Sequence, residues 1–266
     1  MNAYTKHERL LTIEKLSLSF GPKLVLRDIN LHVDNIVRPG HQQGQVVALL
    51  GLSGSGKTQL FRCIAGLQLP TEGGISIHKQ DGTSHWPGAG DVGVVQQAYP
   101  LLEHRTIWSN LRLVAKGKAG EERANHLLEH FHLADKKNSY PLELSGGQRQ
   151  RVAIIQQLLA SGNFLLMDEP FSGLDVVSKQ RVYDTIRQVS STHEHNTTIF
   201  TTHDIESAVT LADEVWIIGR QAGKEGATVI ERVDLAAQGL AWTPDIERNP
   251  LFTGTVQRIK DLFRTL

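Results

Sequence analysis

A glycine-rich segment, Gly51 to Thr58, has the residue types and spacing of a phosphate-binding loop. It reads GLSGSGKT, follows an apolar run and precedes a helical pattern, as the motif G-x-x-x-x-G-K-[ST] requires. Glycines let the backbone curl so that successive N–H groups converge on phosphate oxygens, and the helix start adds a positive dipole end. Lys57 offers its charge to the β- and γ-phosphates, and Thr58 offers its hydroxyl to Mg²⁺. We therefore predict that a nucleoside triphosphate is bound by Gly51, Ser53, Gly54, Ser55, Gly56, Lys57, Thr58 and Gln59.

A second group of candidate residues, Asp168 and Glu169, follows the short apolar run FLLM. In an open α/β sheet, ligands bind at the edge where such buried strands end. Asp168 can hold the hydration shell of Mg²⁺, and Glu169 can polarise a water for attack on the γ-phosphate. A surface acidic turn before Pro170 is the alternative, which the preceding phosphate loop disfavours. The second acidic residue favours hydrolysis over simple nucleotide binding.

The segment LSGGQRQR, Leu144 to Arg151, also has the composition of an anion site. Ser145 is typical of a helix N-cap, because two glycines and the helical pattern QRQRVAIIQQLL follow it. The free N–H groups at such a helix start bind anions well. Plain helix capping would explain Ser145 taken alone.

The elements that must position these residues alternate between strands and helices. The runs QVVALLG, NFLLMDEP, TTIFTTH and EVWIIG are typical of strands buried on both faces, whereas LTIEKLSLSF and VLRDINLHV alternate like half-buried strands. Helical patterns lie between them, including a stripe of Ala124, Leu127, Leu128 and Phe131. We predict an α/β fold with a largely parallel core sheet. Towards the end of the chain, GATVIERVDL predicts a final strand pair, and TVQRIKDLFRTL predicts a helix whose apolar face packs on the domain.

The composition of the chain limits the classes of protein to which it can belong. The chain has 266 residues, with 28 Lys plus Arg against 28 Asp plus Glu, so no net basic charge indicates a nucleic-acid partner. The single cysteine, Cys63, lies in an apolar run and is predicted to be a core residue rather than a redox group. Neither a signal peptide nor a run of the ~18 apolar residues that a membrane span needs is visible. We expect a cytoplasmic protein that docks on a membrane partner.

In this order and spacing, the motifs resemble those of the ATP-binding subunits of ABC transporters, from about Leu11 to about Gly219. GLSGSGKT resembles Walker A, VVQQAYPLL the Q-loop, LSGGQRQR the signature, FLLMDEP Walker B, SGLD the D-loop and TTHD the switch histidine. The resemblance implies a P-loop NTPase core of the RecA-like type with an antiparallel β subdomain and a small α-helical signature subdomain. It also implies one domain over 1–266, with its core at about 11–97 and 152–219, the helical subdomain at about 98–151 and a tail at about 220–266.

The resemblance further implies that two subunits pair head to tail and bury two ATP molecules between them. Each ATP would touch the Walker A loop of one subunit and the signature of the other. The signature residues acting in trans would be Leu144, Ser145, Gly146, Gly147 and Gln148. The D-loop residues at the subunit interface would be Ser172, Gly173, Leu174 and Asp175.

Individual roles carry over from the same resemblance. Gln97 aligns with the Q-loop glutamine, which contacts Mg²⁺ and the attacking water, and Gln96 is the neighbouring candidate. His203 aligns with the switch histidine, so the implied catalytic residues are Glu169, His203 and Gln97. The implied Mg²⁺ ligands are Thr58, Gln97 and Asp168. Phe20 matches the aromatic residue that stacks on adenine, and a core position in a strand is its alternative.

In function, the resemblance implies a subunit that uses ATP and Mg²⁺ to drive transport through membrane partners. Dimer closure would be passed to transmembrane permease subunits through the Q-loop region, with residues 98–108 lining the receiving groove. The partner ATPase would be a second copy or a similar subunit, a substrate-binding protein is a further candidate partner, and no nucleic acid is expected. The chain would sit peripherally on the cytoplasmic face of the membrane, in bacteria the inner membrane.

The implied transport is import of a small solute, with a polar amino acid as the first guess. The alternatives are an exporter or lipid-handling complex, a soluble ATPase acting on nucleic acid or ribosomes, and a non-hydrolysing regulatory module. The intact Lys57, Asp168, Glu169 and His203 disfavour the last of these.

Three features depart from the family pattern or compete with it. The connection at 34–45 is longer than the short turn usual in the family, and Gln156 stands where many relatives have arginine. The segment HLLEH, His126 to His130, fits the inverted zinc-protease motif H-x-x-E-H. Its apolar stripe favours a packed structural helix instead.

Overall fold

The elements of the chain alternate as the sequence predicts. A computed structural model describes residues 4–37, 44–96, 100–243 and 245–266. Within these ranges the strands are β1 (Thr5–Phe20), β2 (Lys23–Val37), β3 (Gln45–Leu50), β4 (Glu72–His78), β5 (Ser84–His85), β6 (Val92–Val95), β7 (Phe164–Met167), β8 (Thr197–Thr202), β9 (Glu214–Arg220) and β10 (Ala227–Asp234). The helices are α1 (Lys57–Ile64), α2 (Ile107–Arg112), α3 (Gly117–His130), α4 (Gly146–Ala160), α5 (Val176–Ser190), α6 (Ile205–Leu211) and α7 (Pro250–Phe263).

The centre of the sheet is parallel, in the order β9-β3-β8-β7-β6. Every residue of β3, β7 and β8 is buried, which explains why these strands read as continuous apolar or threonine-rich runs. Because parallel strands end at the same edge, the loops that follow β3, β7 and β8 lie side by side. This confirms the predicted α/β fold with a parallel core.

An antiparallel region extends the same sheet. Strands β1 and β2 form a long hairpin, β4 pairs with β1, and β5 pairs with β4. Strand β10 is antiparallel to β9 and touches β2 through the pair Ala227 and Leu26, so it joins the two regions. The predicted final strand pair is therefore one strand added to β9.

The predicted long connection at 34–45 is partly wrong. Residues 34–37 belong to β2, where Asp34 is paired with Arg9 and Val37 with Thr5. The loop is shorter than expected because the alternating pattern of β2 continues past Val33. Residues 38–43 lie outside the described residues.

Two apolar clusters cover the two faces of the parallel strands. Val46, Ala48 and Leu50 of β3 join the cluster that contains helices α4 to α7, whereas Val47 and Leu49 join the cluster of α1 and the β1–β2 hairpin. The alternation of β3 side chains thus buries both faces, as expected for a parallel sheet.

The amphipathic stripes of the helices pack as predicted. The α3 residues Ala124, Leu127 and Leu128 are buried, and so are Val256 and Ile259 of α7. Helix α7 packs on α6. In the described ranges, no helix combines the length and apolar character needed to cross a bilayer.

Candidate nucleotide-binding site

The loop between β3 and α1 is held in a shape that its glycines permit. Gly54 and Gly56 have φ angles of 77° and 87°, in the left-handed region. A Cβ on Gly56 would lie 2.7 Å from a methyl of Leu26, and one on Gly51 would lie 2.6 Å from the carbonyl oxygen of Ile218. A side chain at these positions would push the loop away from β2 and β9.

The side chain of Lys57 folds back over this loop. Its side chain is 8 % exposed, and Nζ donates to the carbonyl oxygens of Gly51 at 2.8 Å and Leu52 at 3.1 Å. Thr58 is exposed beside it. The Ser55 hydroxyl is buried and has no hydrogen-bond partner among the described residues. A curled backbone with a shielded cation and an unpartnered buried hydroxyl fits a phosphate group.

Glu169 follows the end of strand β7 and lies close to this loop. One carboxylate oxygen is 3.6 Å from Lys57 Nζ, and the other is 2.9 Å from Nδ1 of His203. Its φ of 45° is unusual for a residue with a side chain. The geometry places one carboxylate between the lysine of the phosphate loop and the histidine after β8.

Thr201 fixes both acidic residues. Its hydroxyl donates to the Asp168 carboxylate at 2.6 Å and accepts from the Glu169 N–H at 2.9 Å. The sequence prediction missed Thr201. The feature of the sequence that could have revealed Thr201 is the threonine-rich run of β8, because a buried hydroxyl at a strand end needs a hydrogen-bond partner.

The turn that carries His203 is also anchored. Asp204 caps α6 by accepting from the N–H groups of Glu206 and Ser207, and it pairs with Lys179 at 2.5 Å. Burial raises the pKa of the Asp204 carboxyl, but the hydrogen bonds from Lys179 and Ser207 outweigh it, so the pKa lies below its ordinary value. Lys179 therefore ties α5 to the histidine turn.

The signature segment caps α4 as the sequence predicts. The Ser145 hydroxyl accepts from the Gln148 N–H at 3.3 Å, and the Gln148 side chain accepts from the Ser145 N–H at 2.9 Å. Gly146 and Gly147 are exposed, and a Cβ on either would meet nothing within 4 Å. Leu144, in contrast, is buried. The helix start thus presents backbone to the surface, held by a reciprocal cap.

The D-loop reaches the signature through Leu174. Asp175 caps α5 through the N–H and hydroxyl of Ser178, which lowers the pKa of its carboxyl. Ser172 and Gly173 are exposed. Leu174 and Ser178 line a cavity of about 570 Å³ together with the signature residues Ser145 to Gln148. In the described part of the chain, this cavity shares no lining residue with the one beside the phosphate loop.

The structure locates Phe20 and Gln156 but does not describe Gln97. Phe20 ends β1 before the turn at Gly21 and is 48 % exposed, so the alternative of a core position is wrong. Its stacking on adenine stays a prediction. Gln97, and with it the predicted contact to Mg²⁺, lies outside the described residues. Gln156, the departure from the family pattern, donates from its amide to the carbonyl of Asn110 and so links α4 to α2.

The segment His126 to His130 packs as a structural helix. His130 contacts the carbonyl oxygen of Gln188 through Nε2 at 3.1 Å, and its ring meets Phe131 edge-on. Across the ranges that the structure describes, no three His, Cys, Asp or Glu side chains cluster closely enough to hold a metal ion.

A phosphate loop on a central parallel strand, with an acidic pair at the end of a strand nearby, is the arrangement of a P-loop nucleotide-binding protein. The sequence matches the ABC transporter family over residues 36–172. The chain belongs to this family.

Two similar proteins carry the name sulfate/thiosulfate import ATP-binding protein CysA. The one from Escherichia coli (strain K12) is 36 % identical over 264 residues, covering 95 % of this chain and 67 % of the relative. The one from Synechocystis sp. (strain ATCC 27184 / PCC 6803 / Kazusa) is 40 % identical over 214 residues, covering 77 % of this chain and 57 % of the relative. The chain thus spans between 57 % and 67 % of the length of these two relatives.

A solved structure supports the fold. The structure described as cbiO1 from Clostridium perfringens, part of the ABC transporter complex cbiONQ, superposes with a TM-score of 0.72, and the match covers 97 % of this chain and 98 % of that one. At 21 % sequence identity, the likeness bears on the fold alone.

Proposed function

We propose that the chain is the ATP-binding and ATP-hydrolysing subunit of an ABC importer and works as a dimer. The observation that carries the proposal is the placement of Glu169 between Lys57 and His203. A carboxylate in that position would lie near the terminal phosphate of a nucleotide held by the loop. Such a carboxylate can accept the proton of an attacking water.

Each residue then has a distinct task. The backbone N–H groups of the loop and Lys57 bind the phosphates, which requires Lys57 Nζ to leave its two carbonyl acceptors. Thr58 and Asp168 would hold Mg²⁺, which would supply positive charge to the phosphates of the nucleotide. Glu169 takes the proton from water, and His203, anchored through Asp204, orients the same water. We assign Gln97 to the Mg²⁺ and the attacking water on the family resemblance.

We assign the other half of the site to a second subunit. The signature lies on a cavity separate from the phosphate loop, and its exposed helix start suits a γ-phosphate from a partner. A second copy of this chain placed head to tail would supply Ser145 and Gly147 to that phosphate. A similar but different ATPase subunit would do the same.

The membrane partners are inferred from the family resemblance, and the solute is inferred from the names of the relatives. Permease subunits would dock on the region after Gln97, and the chain would lie on the cytoplasmic face of the membrane. The relatives named above are import proteins for sulfate and thiosulfate, which favours import over export and makes a small oxyanion the first solute to test. A polar amino acid is the second candidate.

ATP hydrolysis by the purified chain tests the catalytic part of the proposal. With Mg²⁺ and ATP, Lys57→Ala should lower turnover at least about 100-fold, because the substitution removes a cation aimed at the transferring phosphate. Lys118→Ala is the matched control, since its ammonium group lies on the surface with its side chain 93 % exposed. Equal turnover in the Lys57→Ala variant and the wild type would exclude the proposed site.

Uptake measurements test the solute. Cells that lack this chain would be complemented with the wild type or with Lys57→Ala and given radiolabelled sulfate or a labelled polar amino acid. Sulfate uptake restored only by the wild type is the expected result. Uptake that is insensitive to the variant would contradict a role in importing that solute.

A further inference from the structure

An ion pair ties the signature helix to the loop that precedes α2. The carboxylate of Glu103 in this loop pairs with the guanidinium group of Arg149 in the first turn of α4. The N–H of Arg149 donates to the carbonyl oxygen of Ser145 at 2.9 Å, which closes the turn next to the cap. The proposed function gives this pair no role, although the pair lies at the start of the signature helix.

The loop that carries Glu103 is held in one shape by Asn110 of α2, which is fully buried. The Asn110 Oδ1 accepts from the N–H of Leu102 at 2.8 Å. The Asn110 Nδ2 donates to the carbonyl oxygens of Leu102 at 3.1 Å and Thr106 at 3.0 Å. Glu103 directly follows Leu102, so its backbone is fixed before it pairs. An ion pair between groups on a fixed backbone loses less conformational entropy than one between mobile segments.

Gln156 gives α4 a second contact with the same loop and helix. Its amide donates to the backbone carbonyl oxygen of Asn110 at 3.3 Å. Gln156 lies seven positions after Arg149, which is about two turns along the same face of α4. Two contacts at this separation fix the direction of the helix as well as its position. The contact at Arg149 is the one nearer to the cap at Ser145.

The ion pair is too exposed to add much to the stability of the fold. The side chain of Glu103 is 42 % exposed and that of Arg149 is 28 % exposed, and pairs of this kind contribute little to the free energy of unfolding. Turnover is more sensitive, because a displacement of about 1 Å can cost an enzyme about 100-fold in rate. Loss of the pair should therefore leave the fold intact and slow the reaction.

We propose that Glu103 is a positioning residue for the signature: through Arg149, it holds the start of α4 where Ser145 meets the nucleotide of a second chain. This role rests on the proposed function, which places the signature against that nucleotide. The described residues that line the cavity beside the signature include Ser145 but not Arg149. We therefore expect the pair to act on the helix start rather than on the nucleotide itself.

Charge reversal in the purified full chain tests this role. Glu103→Arg sets two cations against each other, which should displace the helix start and lower ATP turnover at saturating MgATP about 10-fold or more. Binding of a fluorescent ATP analogue should stay unchanged, because the phosphate loop is untouched, and so should the melting temperature. The double variant Glu103→Arg with Arg149→Glu restores an ion pair of opposite direction and should recover turnover to within about 3-fold of the wild type.

The matched control is Glu121→Arg. This substitution breaks the ion pair that Glu121 of α3 makes with Arg112 of α2 at 2.8 Å. Turnover should stay unchanged in the control, because neither partner lies on α4 or in the loop that carries Glu103. A control that loses as much turnover as Glu103→Arg would mean that any change of surface charge slows the reaction, which would contradict a specific role of Glu103.

Hydrogen exchange without nucleotide reports on the helix start itself. The Arg149 N–H should exchange faster in Glu103→Arg than in the wild type, because the first turn loses its anchor, and the double variant should restore slow exchange. A Glu103→Arg variant as active as the wild type would overturn the positioning role. A double variant that recovers neither turnover nor slow exchange would overturn it too. A wild type without ATPase activity would instead overturn the proposed function, and exchange at Arg149 would still decide whether the pair holds the helix start.

Discussion

Replacement of Glu169 by glutamine isolates the proposed catalytic base with little change of shape. The amide can still contact Nδ1 of His203, which lies 2.9 Å from the present carboxylate, and the Glu169 N–H keeps its bond to Thr201. What the variant loses is the negative charge and the capacity to accept a proton. The substitution therefore separates catalysis from the architecture of the site.

The expected loss of turnover in Glu169→Gln follows from the removal of a general base. Loss of a positioned general base lowers turnover by about 10²- to 10⁴-fold, which corresponds to about 2.7–5.4 kcal/mol in the activation barrier. ATP binding should be retained or tightened, because the carboxylate 3.6 Å from Lys57 no longer competes with phosphate for that cation. Before nucleotide binds, Lys57 of the variant keeps its contacts to Gly51 and Leu52, so the loop stays formed.

The assay combines phosphate release under saturating MgATP with binding of a fluorescent ATP analogue and gel filtration in ATP. Glu169→Gln should bind the analogue normally, turn over slowly and accumulate as an ATP-bound dimer. Glu206→Gln is the matched control, because Glu206 lies in the first turn of α6 with its side chain 64 % exposed and paired with Lys260. A loss of turnover of no more than about 2-fold in Glu169→Gln is far smaller than the loss of a general base produces, and it would exclude Glu169 from that role.

Three further predictions concern other parts of the molecule. Phe20→Ala should weaken ATP binding roughly 10-fold and leave the melting temperature unchanged, because Phe20 is 48 % exposed; unchanged affinity in a titration would remove Phe20 from the adenine site. Burial raises the pKa of the Cys63 thiol to about 11, so a thiol-reactive dye at pH 8 should label Cys63 only after unfolding, and rapid labelling of the native protein would contradict its core position. Asp204→Asn should cost about 1 kcal/mol of unfolding free energy at neutral pH through the lost ion pair with Lys179, because asparagine can keep the helix cap. Because the folded pKa of Asp204 is depressed, this contribution is present above the unfolded pKa of about 3.9 and is lost as the pH falls through the folded value; denaturant titrations at neutral and acidic pH that give the same difference would contradict the assignment.

Much of the fold follows from local patterns in the sequence. The strands of the parallel centre are continuous apolar runs because both faces are covered, and Gly51 and Gly56 of the phosphate loop mark positions where a Cβ would collide with β9 or β2. Ser145 could be recognised as a cap because the residues that form a capping box lie within three positions of one another.

Other features depend on contacts between segments that are distant in the chain. The attachment of β10 to β9 and β2 rests on pairing across the whole domain, which periodicity does not reveal. The role of Thr201 rests on contacts to Asp168 and Glu169 more than thirty positions earlier. Arg151 of α4 and Arg181 of α5 line one cavity beside the signature only because the fold brings these two helices together.

In the proposed dimer, each working site takes its phosphate loop from one chain and its signature from another. Mixing two inactive variants, Lys57→Ala and Ser145→Arg, tests it directly. A mixed dimer would contain one site with an intact Lys57 from one chain and an intact Ser145 from the other. Because half of the randomly formed dimers are mixed and each has one intact site of two, activity should return to about a quarter of the wild-type value.

The measurement is ATP turnover of each variant alone and of the equimolar mixture, with dimer formation checked by gel filtration. Each variant alone should be inactive, whereas the mixture should be active. A mixture that forms dimers but remains as inactive as its components would contradict the shared site.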